Sequence, residues 1–303
     1  MHLLVVHDHP LTYIPVVVML VKTRFYEKMS KVIRPAGCAG SFYSKQKAIL
    51  EREVAVFLEN SSQLNDVNEV YGLIAPNDAQ YVCGGVAARA YRQIIDHDFE
   101  YVVIISPSHH TYFEEISIYN GNGYQTPLGT VKTDKEMIEA LCGQHEKIIA
   151  SELGHEPDEH GIEIQLPFLQ QILYDFKLIP IVMGNQDSEN IQLLTDALLS
   201  VFRGKSVLFV ASTNLSSNHS YQQASTLDKT AINLVNHFDN RGLEAEFQSG
   251  VVEMSGGGAA ITVMNVSKKM GADKAEVVLY RNSGDMANKK EKVTGYLAAV
   301  FYS

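Results

Sequence analysis

The sequence predicts an α/β fold: a single domain with a mostly parallel central sheet flanked by helices. Short β-branched and aromatic runs alternate with longer stretches of helical periodicity. The clearest run, Tyr101 to Ile105, is apolar or aromatic throughout and reads as a buried central strand. It and the runs Val70 to Ala75 and Val207 to Ala211 all end in loops of small polar residues or histidines. In open α/β sheets, ligands sit in the crevice outside the carboxyl ends of the strands.

A chain of 303 residues with 46% apolar content is long enough to bury one sizeable core. Its 25 basic and 35 acidic residues give a net charge of −10. No basic run exceeds Lys289-Lys290, so a general nucleic-acid or anionic-membrane binder, which needs clustered Lys and Arg, is excluded. The three cysteines, Cys38, Cys83 and Cys142, form no C-x-x-C pair. That is the pattern of a reduced, cytoplasmic protein rather than a disulfide scaffold or structural zinc site.

Residues 1–28 do not match the rest. Leu11 to Val21 is apolar but interrupted by Pro15, and it is about half as long as a membrane-spanning helix. A signal peptide would place basic residues before such a run and a small-residue cleavage site after it; here Asp8 precedes it and Lys22, Arg24 and Tyr26 follow. We expect an upstream extension over residues 1–28, an α/β domain over residues 29–303, and no integral membrane span.

Arg34 to Tyr43 is a glycine-bearing loop, and Ser44 is positioned to cap a helix with Leu50, Val54, Phe57 and Leu58 on one face. The strand Val70 to Ala75 ends in Pro76-Asn77-Asp78, and a helix with Val86, Ala90 and Ile94 inward follows. Ser106-Pro107-Ser108 should break the central strand, since proline cannot donate to a ladder. His109 and His110 come next. A short β region covers Ile116 to Tyr119 and Gly129 to Val131, and Thr133-x-x-Glu136 fits a capping box for a helix through Leu141.

A polar loop with His155, Asp158, Glu159 and His160 precedes a helix carrying Ile162, Leu166, Leu169 and Leu173. On that helix His160 and Glu163 would share a face, as an acid–base or metal pair or as a surface ion pair. Leu178 to Val182 and Val207 to Ala211 are further strands, separated by a helix around Ile191 to Val201. The second ends in Ser212, Thr213 and Asn214, with Ser217 and His219 beyond. A helix around Leu227 to Phe238 leads to Ser255-Gly256-Gly257-Gly258 and another helix; Glu276 to Tyr280 and Val293 to Phe301 close the chain as strands. The glycine run lacks a dinucleotide fingerprint, because Ile261 occupies its last position. Close backbone packing is the expectation there, with anion binding at the helix start as the alternative.

The ordered motifs resemble the Memo-like family, whose fold is similar to that of class III extradiol dioxygenases. The resemblance runs from about Arg34 to Phe301. It rests on Ala36-Gly37-Cys38-Ala39-Gly40-Ser41-Phe42-Tyr43, Ile74-Ala75-Pro76, Cys83-Gly84, Pro107-Ser108-His109-His110 and Thr126-Pro127-Leu128. Asp158 through Pro167, Ile179 through Gly184, and Asn282-Ser283-Gly284-Asp285 complete the set. The resemblance implies a metal cluster of two histidines and a cysteine beside an Asp/His pair. Of these this chain keeps His109. It has Asn77 for the other histidine, Ser255 for the cysteine, and Asn214 and Ser217 for the pair. His160 and Glu163 also survive.

Neutral amides and hydroxyls do not replace imidazole and thiolate toward soft metals. We therefore expect a pocket lined by Asn77, Asn214, Ser217 and Ser255, with His219 near it, that binds a small polar ligand or a protein partner. Its cofactor would be none, or a weakly bound divalent metal (Fe, Cu or Zn) at His109. The alternative is a metal-dependent oxidative or hydrolytic enzyme with His160, Glu163 and His110 as its catalytic candidates.

Overall fold

The computed structural model describes residues 32–286 and 289–303; the extension expected over residues 1–28 lies outside the described residues. The chain opens with β1 (Ile33–Arg34), α1 (Lys47–Glu59), β2 (Val70–Ala75), α2 (Gln80–Tyr91) and β3 (Tyr101–Pro107). Next come β4 (Ile116–Tyr119), β5 (Gly123–Thr126), β6 (Gly129–Lys132), α3 (Lys135–Cys142), β7 (Ile148–Ser151) and α4 (Leu166–Ile172). Then follow β8 (Lys177–Met183), α5 (Ser188–Phe202), β9 (Val207–Ser212), β10 (Ser217–His219) and α6 (Tyr221–Asn236). The last elements are α7 (Asn240–Gln248), α8 (Gly257–Met270), β11 (Lys274–Asn282), α9 (Ser283–Met286) and β12 (Val293–Tyr302).

The sheet is mixed. Strands β2, β9, β3 and β8 lie side by side and parallel at its centre. β12 pairs antiparallel with β2, and both β10 and β11 pair antiparallel with β12. On the other edge β4 is antiparallel to β8, and β7 is parallel to β4. The expected α/β architecture, with a parallel centre flanked by helices, is present; parallel pairing covers the four central strands and the β4–β7 pair, and the remaining strands of the sheet are antiparallel. The short β1, β5 and β6 form a separate sheet.

Alternate residues of the central strands face opposite layers, because side chains in a strand alternate with period two. Val103, Ile105, Phe209 and Ala211 join one apolar cluster with residues of α5 and α8. Val102, Ile104, Leu208 and Val210 join the other with residues of α1 and α2. Both faces are covered, so these strands read as unbroken apolar runs.

Pro107 does not break β3, which runs through it in register with Met183. The Ser108 N–H donates to the Met183 carbonyl (3.1 Å), so the missing N–H of Pro107 faces the opposite side. There, pairing with β9 has already stopped at Ile105 and Ala211. Pro180 is tolerated inside β8 for the same reason, since pairing with β4 ends at Ile181.

Several local expectations shift. Asp134, not Thr133, caps α3, accepting from the Met137 N–H at 3.0 Å; the Thr133 hydroxyl donates to the Gly121 carbonyl instead. α1 begins after Gln46, and Ser44 accepts from the Gln46 N–H, outside the helix. α4 starts only at Leu166, with Pro167 in its first turn. A proline deeper in the helix would remove an internal hydrogen bond, so His160 lies in the loop before the helix rather than on it.

Candidate functional site

The carboxyl ends of β2, β3 and β9 bring Asn77, His109 and Asn214 together. The Asn77 N–H donates to Asn214 Oδ1 (2.9 Å). The Asn77 amide donates to the Ser212 carbonyl (3.3 Å) and lies 3.4 Å from His109 Nε2. Asn77 is fully buried, and its Oδ1 has no hydrogen-bond partner. Ser255 joins from the loop before α8: its hydroxyl accepts from the Asn214 N–H (2.9 Å), and its own N–H donates to the Asn214 carbonyl (3.0 Å).

The glycine run that follows allows close packing. A Cβ on Gly256 would fall 2.7 Å from the Ser212 carbonyl oxygen and 3.0 Å from Pro107 Cδ. Its helix-start N–H groups are engaged, Gly256 with Thr213 Oγ1 (2.8 Å) and Gly258 with Gln186 Oε1 (2.9 Å).

The loop before α4 supplies Glu159 and His160. Gly161 lets this loop press on β3, since a Cβ there would lie 1.8 Å from Ser106 Oγ. Glu159 was not among the expected site residues, yet it fixes His109. One carboxylate oxygen accepts from the His109 N–H (2.8 Å); the other takes the His109 ring Nδ1 (2.7 Å) and the Gly161 N–H (3.0 Å). A proton held on Nδ1 leaves the Nε2 lone pair facing Asn77, the usual way a carboxylate sets an imidazole's tautomer. Burial pushes the Glu159 carboxyl up, but the hydrogen bond and charge of His109 and the two backbone N–H groups outweigh it and hold Glu159 at about 2.

The His160 ring lies between Phe42 (centroids 4.6 Å apart) and His109 (4.1 Å). Burial, reinforced by the charge of His109, pushes His160 down to about 4. It is neutral at pH 7.

These groups line a cavity of about 670 Å³ with Asn77, His109, His160, Asn214, Ser217 and Ser255 on its polar side. Asp78, Glu253 and Thr294 add further polar groups, and Phe42, Leu215, Phe247, Val252 and Met254 make the apolar side. The aromatic walls were not expected from the sequence, because Phe42 and Phe247 are far apart in the chain and carry no motif linking them.

Two expected residues, His110 and Glu163, lie away from the cavity, and His219 lies at its edge. His110 is exposed, its Nε2 3.2 Å from the Asp158 carbonyl oxygen. His219 stands beside the cavity and pairs with the Glu253 carboxylate at 2.9 Å. Glu163 does not share a face with His160. It is fully buried in an ion pair with Arg34 and accepts from the Tyr43 hydroxyl (2.5 Å), the Cys38 N–H (2.8 Å) and the Gly37 N–H (3.1 Å). Arg34 also donates to the carbonyls of His155 (2.9 Å) and Glu156 (2.7 Å). The pair thus ties the Gly37–Tyr43 loop to the loop that carries Glu159.

A buried histidine, His155, and a half-buried one, His160, make stability fall in acid. Burial lowers His155 to about 3, and His160 sits at about 4. Both pKa values are depressed on folding, so the unfolded chain binds more protons below pH 6.5. The stability is present above that pH and is lost as pH falls toward the folded values. Between pH 6.5 and 5 the two together should remove about 3 kcal/mol. Urea denaturation across this range measures it; an unchanged midpoint would show that the two imidazoles are not held neutral.

An α/β protein with a half-polar pocket at the carboxyl ends of its central strands is what the fold and site define. The Memo-like protein family model matches residues 34–300, and the chain belongs to that family. A MEMO1 family protein of Methanosarcina mazei is 31% identical over 271 residues, 88% of this chain and 98% of its own. One from Methanobrevibacter smithii is 29% identical over 282 residues, 89% of this chain and 100% of its own. Among solved structures, an uncharacterized protein from Escherichia coli K12 matches at TM-score 0.50 and 9% identity, over 78% of this chain and 100% of that one; the likeness is one of fold.

No helix among the described residues is long and apolar enough to cross a membrane.

Proposed function

We propose that this chain is a Memo-like protein with a degenerate metal pocket that binds a small polar ligand, without tightly held transition metal. The observation that carries the reading is the cavity wall made by Asn77, Asn214, Ser217 and Ser255, which offers uncharged oxygens and amides beside the imidazoles of His109 and His160, where the family resemblance implies a further imidazole, a thiolate and an Asp/His pair. Such a donor set is poor for iron, copper or zinc, which favour several imidazoles, carboxylates or thiolates. It suits directional hydrogen bonds to a small molecule, with the apolar side supplying burial.

The second reading is a metal-dependent oxidative or hydrolytic enzyme. One observation favours it: donor atoms of His109, Glu159 and His160 lie within 4.8 Å of one another. Two histidines and one carboxylate are a known set for non-haem iron. In this chain Glu159 would take the place expected for Glu163. Against it, both Glu159 oxygens already accept hydrogen bonds from His109 or Gly161.

Saturation-transfer NMR with neutral amide- and hydroxyl-bearing fragments, in the presence of EDTA, tests the first reading. Binding should persist with the chelator and be lost in Ser217→Phe, which obstructs the cavity from an exposed position. Binding that requires added metal would contradict it.

A further inference from the structure

We infer that the ligand of this pocket carries a cationic amine on an apolar body; the inference rests on the pocket being a ligand site, as proposed above. The charged groups around the cavity are unbalanced. Asp78 and Glu253 line it, and among the described residues no lysine or arginine does. Glu253 is already paired with His219. Asp78 accepts from the Ala79 N–H (2.6 Å) and the Tyr296 hydroxyl (2.7 Å), and both donors are neutral. A carboxylate has about four lone-pair sites, so Asp78 has acceptor capacity left for a ligand donor.

A carboxylate or phosphate entering here would lose its water and meet no lysine or arginine among the described residues, at high cost. An ammonium would meet Asp78. The unpartnered Oδ1 of Asn77, on a fully buried side chain in the cavity wall, points to the same ligand class. A buried acceptor with no donor is costly, so this wall favours a ligand that brings hydrogen-bond donors over one that brings only acceptors. Phe42 and Phe247 supply aromatic surface for an apolar body or for the ammonium itself.

Three nearly isosteric probes separate charge from shape: 2-phenylethylamine, 2-phenylethanol and 3-phenylpropionate, titrated by calorimetry and ligand-observed NMR at pH 7. The amine should bind at least about tenfold more tightly than the carboxylate, a ratio well within reach of one close charge pair. Asp78→Asn should remove that preference, weakening the amine by far more than the alcohol. Glu253→Gln, at the exposed mouth, should weaken the amine less and serves if Asp78→Asn does not fold. Equal or tighter binding of the carboxylate overturns the inference, as does an amine unaffected by both variants. If the alcohol or carboxylate binds best and Ser217→Phe abolishes it, the ligand site stands and only its charge preference falls. If none of the three binds, the inference is overturned, and the neutral-fragment screen decides whether the site falls with it.

Discussion

Replacing Glu163 with alanine should cost about 3–5 kcal/mol of folding stability and lower the Tm by roughly 10 °C. The Arg34 guanidinium is 2% exposed and Glu163 is fully buried. Removing the carboxylate leaves a cation in the interior and strips the acceptor from the Tyr43 hydroxyl and the Cys38 N–H, while the Gly37 N–H keeps the Pro35 carbonyl. An uncompensated buried charge is far more costly than the loss of the attraction itself. A double variant, Arg34→Met with Glu163→Met, should recover a large part of the loss, because the desolvation cost of both charges disappears with them. Chemical denaturation of the two variants measures this. The pair is structural, so Glu163→Gln should bind fragments as the parent does once folded. A variant that kept its stability but lost binding would return Glu163 to the site.

The second large effect is a gain. Changing Asn77→His, Asn214→Asp, Ser217→His and Ser255→Cys together should raise affinity for iron, copper or zinc by roughly a thousandfold, about 4 kcal/mol. Three of these positions already touch: Asn77 bonds Asn214, and Asn214 bonds Ser255, each at 2.9 Å. His109 Nε2 lies 3.4 Å from the Asn77 side chain. New imidazole and thiolate donors would therefore converge on a nitrogen whose tautomer Glu159 has fixed. Competition against a chromophoric chelator reads the affinity. A folded quadruple variant that binds no better than the parent would show that the pocket's geometry, and not only its side chains, differs from a metal site.

The central strands were legible because they are buried on both faces, which forces apolar residues at every position of runs such as Tyr101–Ile105. α7 was not legible. Leu243 is its one buried residue, and Asn240, Arg241 and Gly242 open it with no helical stripe. Its start comes from the Asp239 side chain accepting the Gly242 N–H at 2.9 Å. In the site, residues at strand ends were readable because fold topology aims them at one crevice. His109, Asn77 and Asn214 are of this kind.

The role of Glu159 is not legible in the sequence, because Glu156, Asp158, Glu159 and Glu163 crowd one stretch before α4 and spacing alone does not say which carboxylate turns inward. Its place immediately before His160 and Gly161 was the available signal, since Gly161 is what lets that loop close on β3. The spacing of His160 and Glu163 suggests helical neighbours, but α4 begins at Leu166 with Pro167 in its first turn, so both residues precede it.

Metal content is the most direct measure of what the pocket is. The purified protein, incubated with iron(II), copper and zinc in turn and desalted, should retain far less than one ion per chain by inductively coupled plasma mass spectrometry, with no difference between the parent and His109→Ala. Near-stoichiometric iron, copper or zinc that disappears in His109→Ala would contradict the uncharged pocket and establish the histidine–carboxylate group as a metal centre.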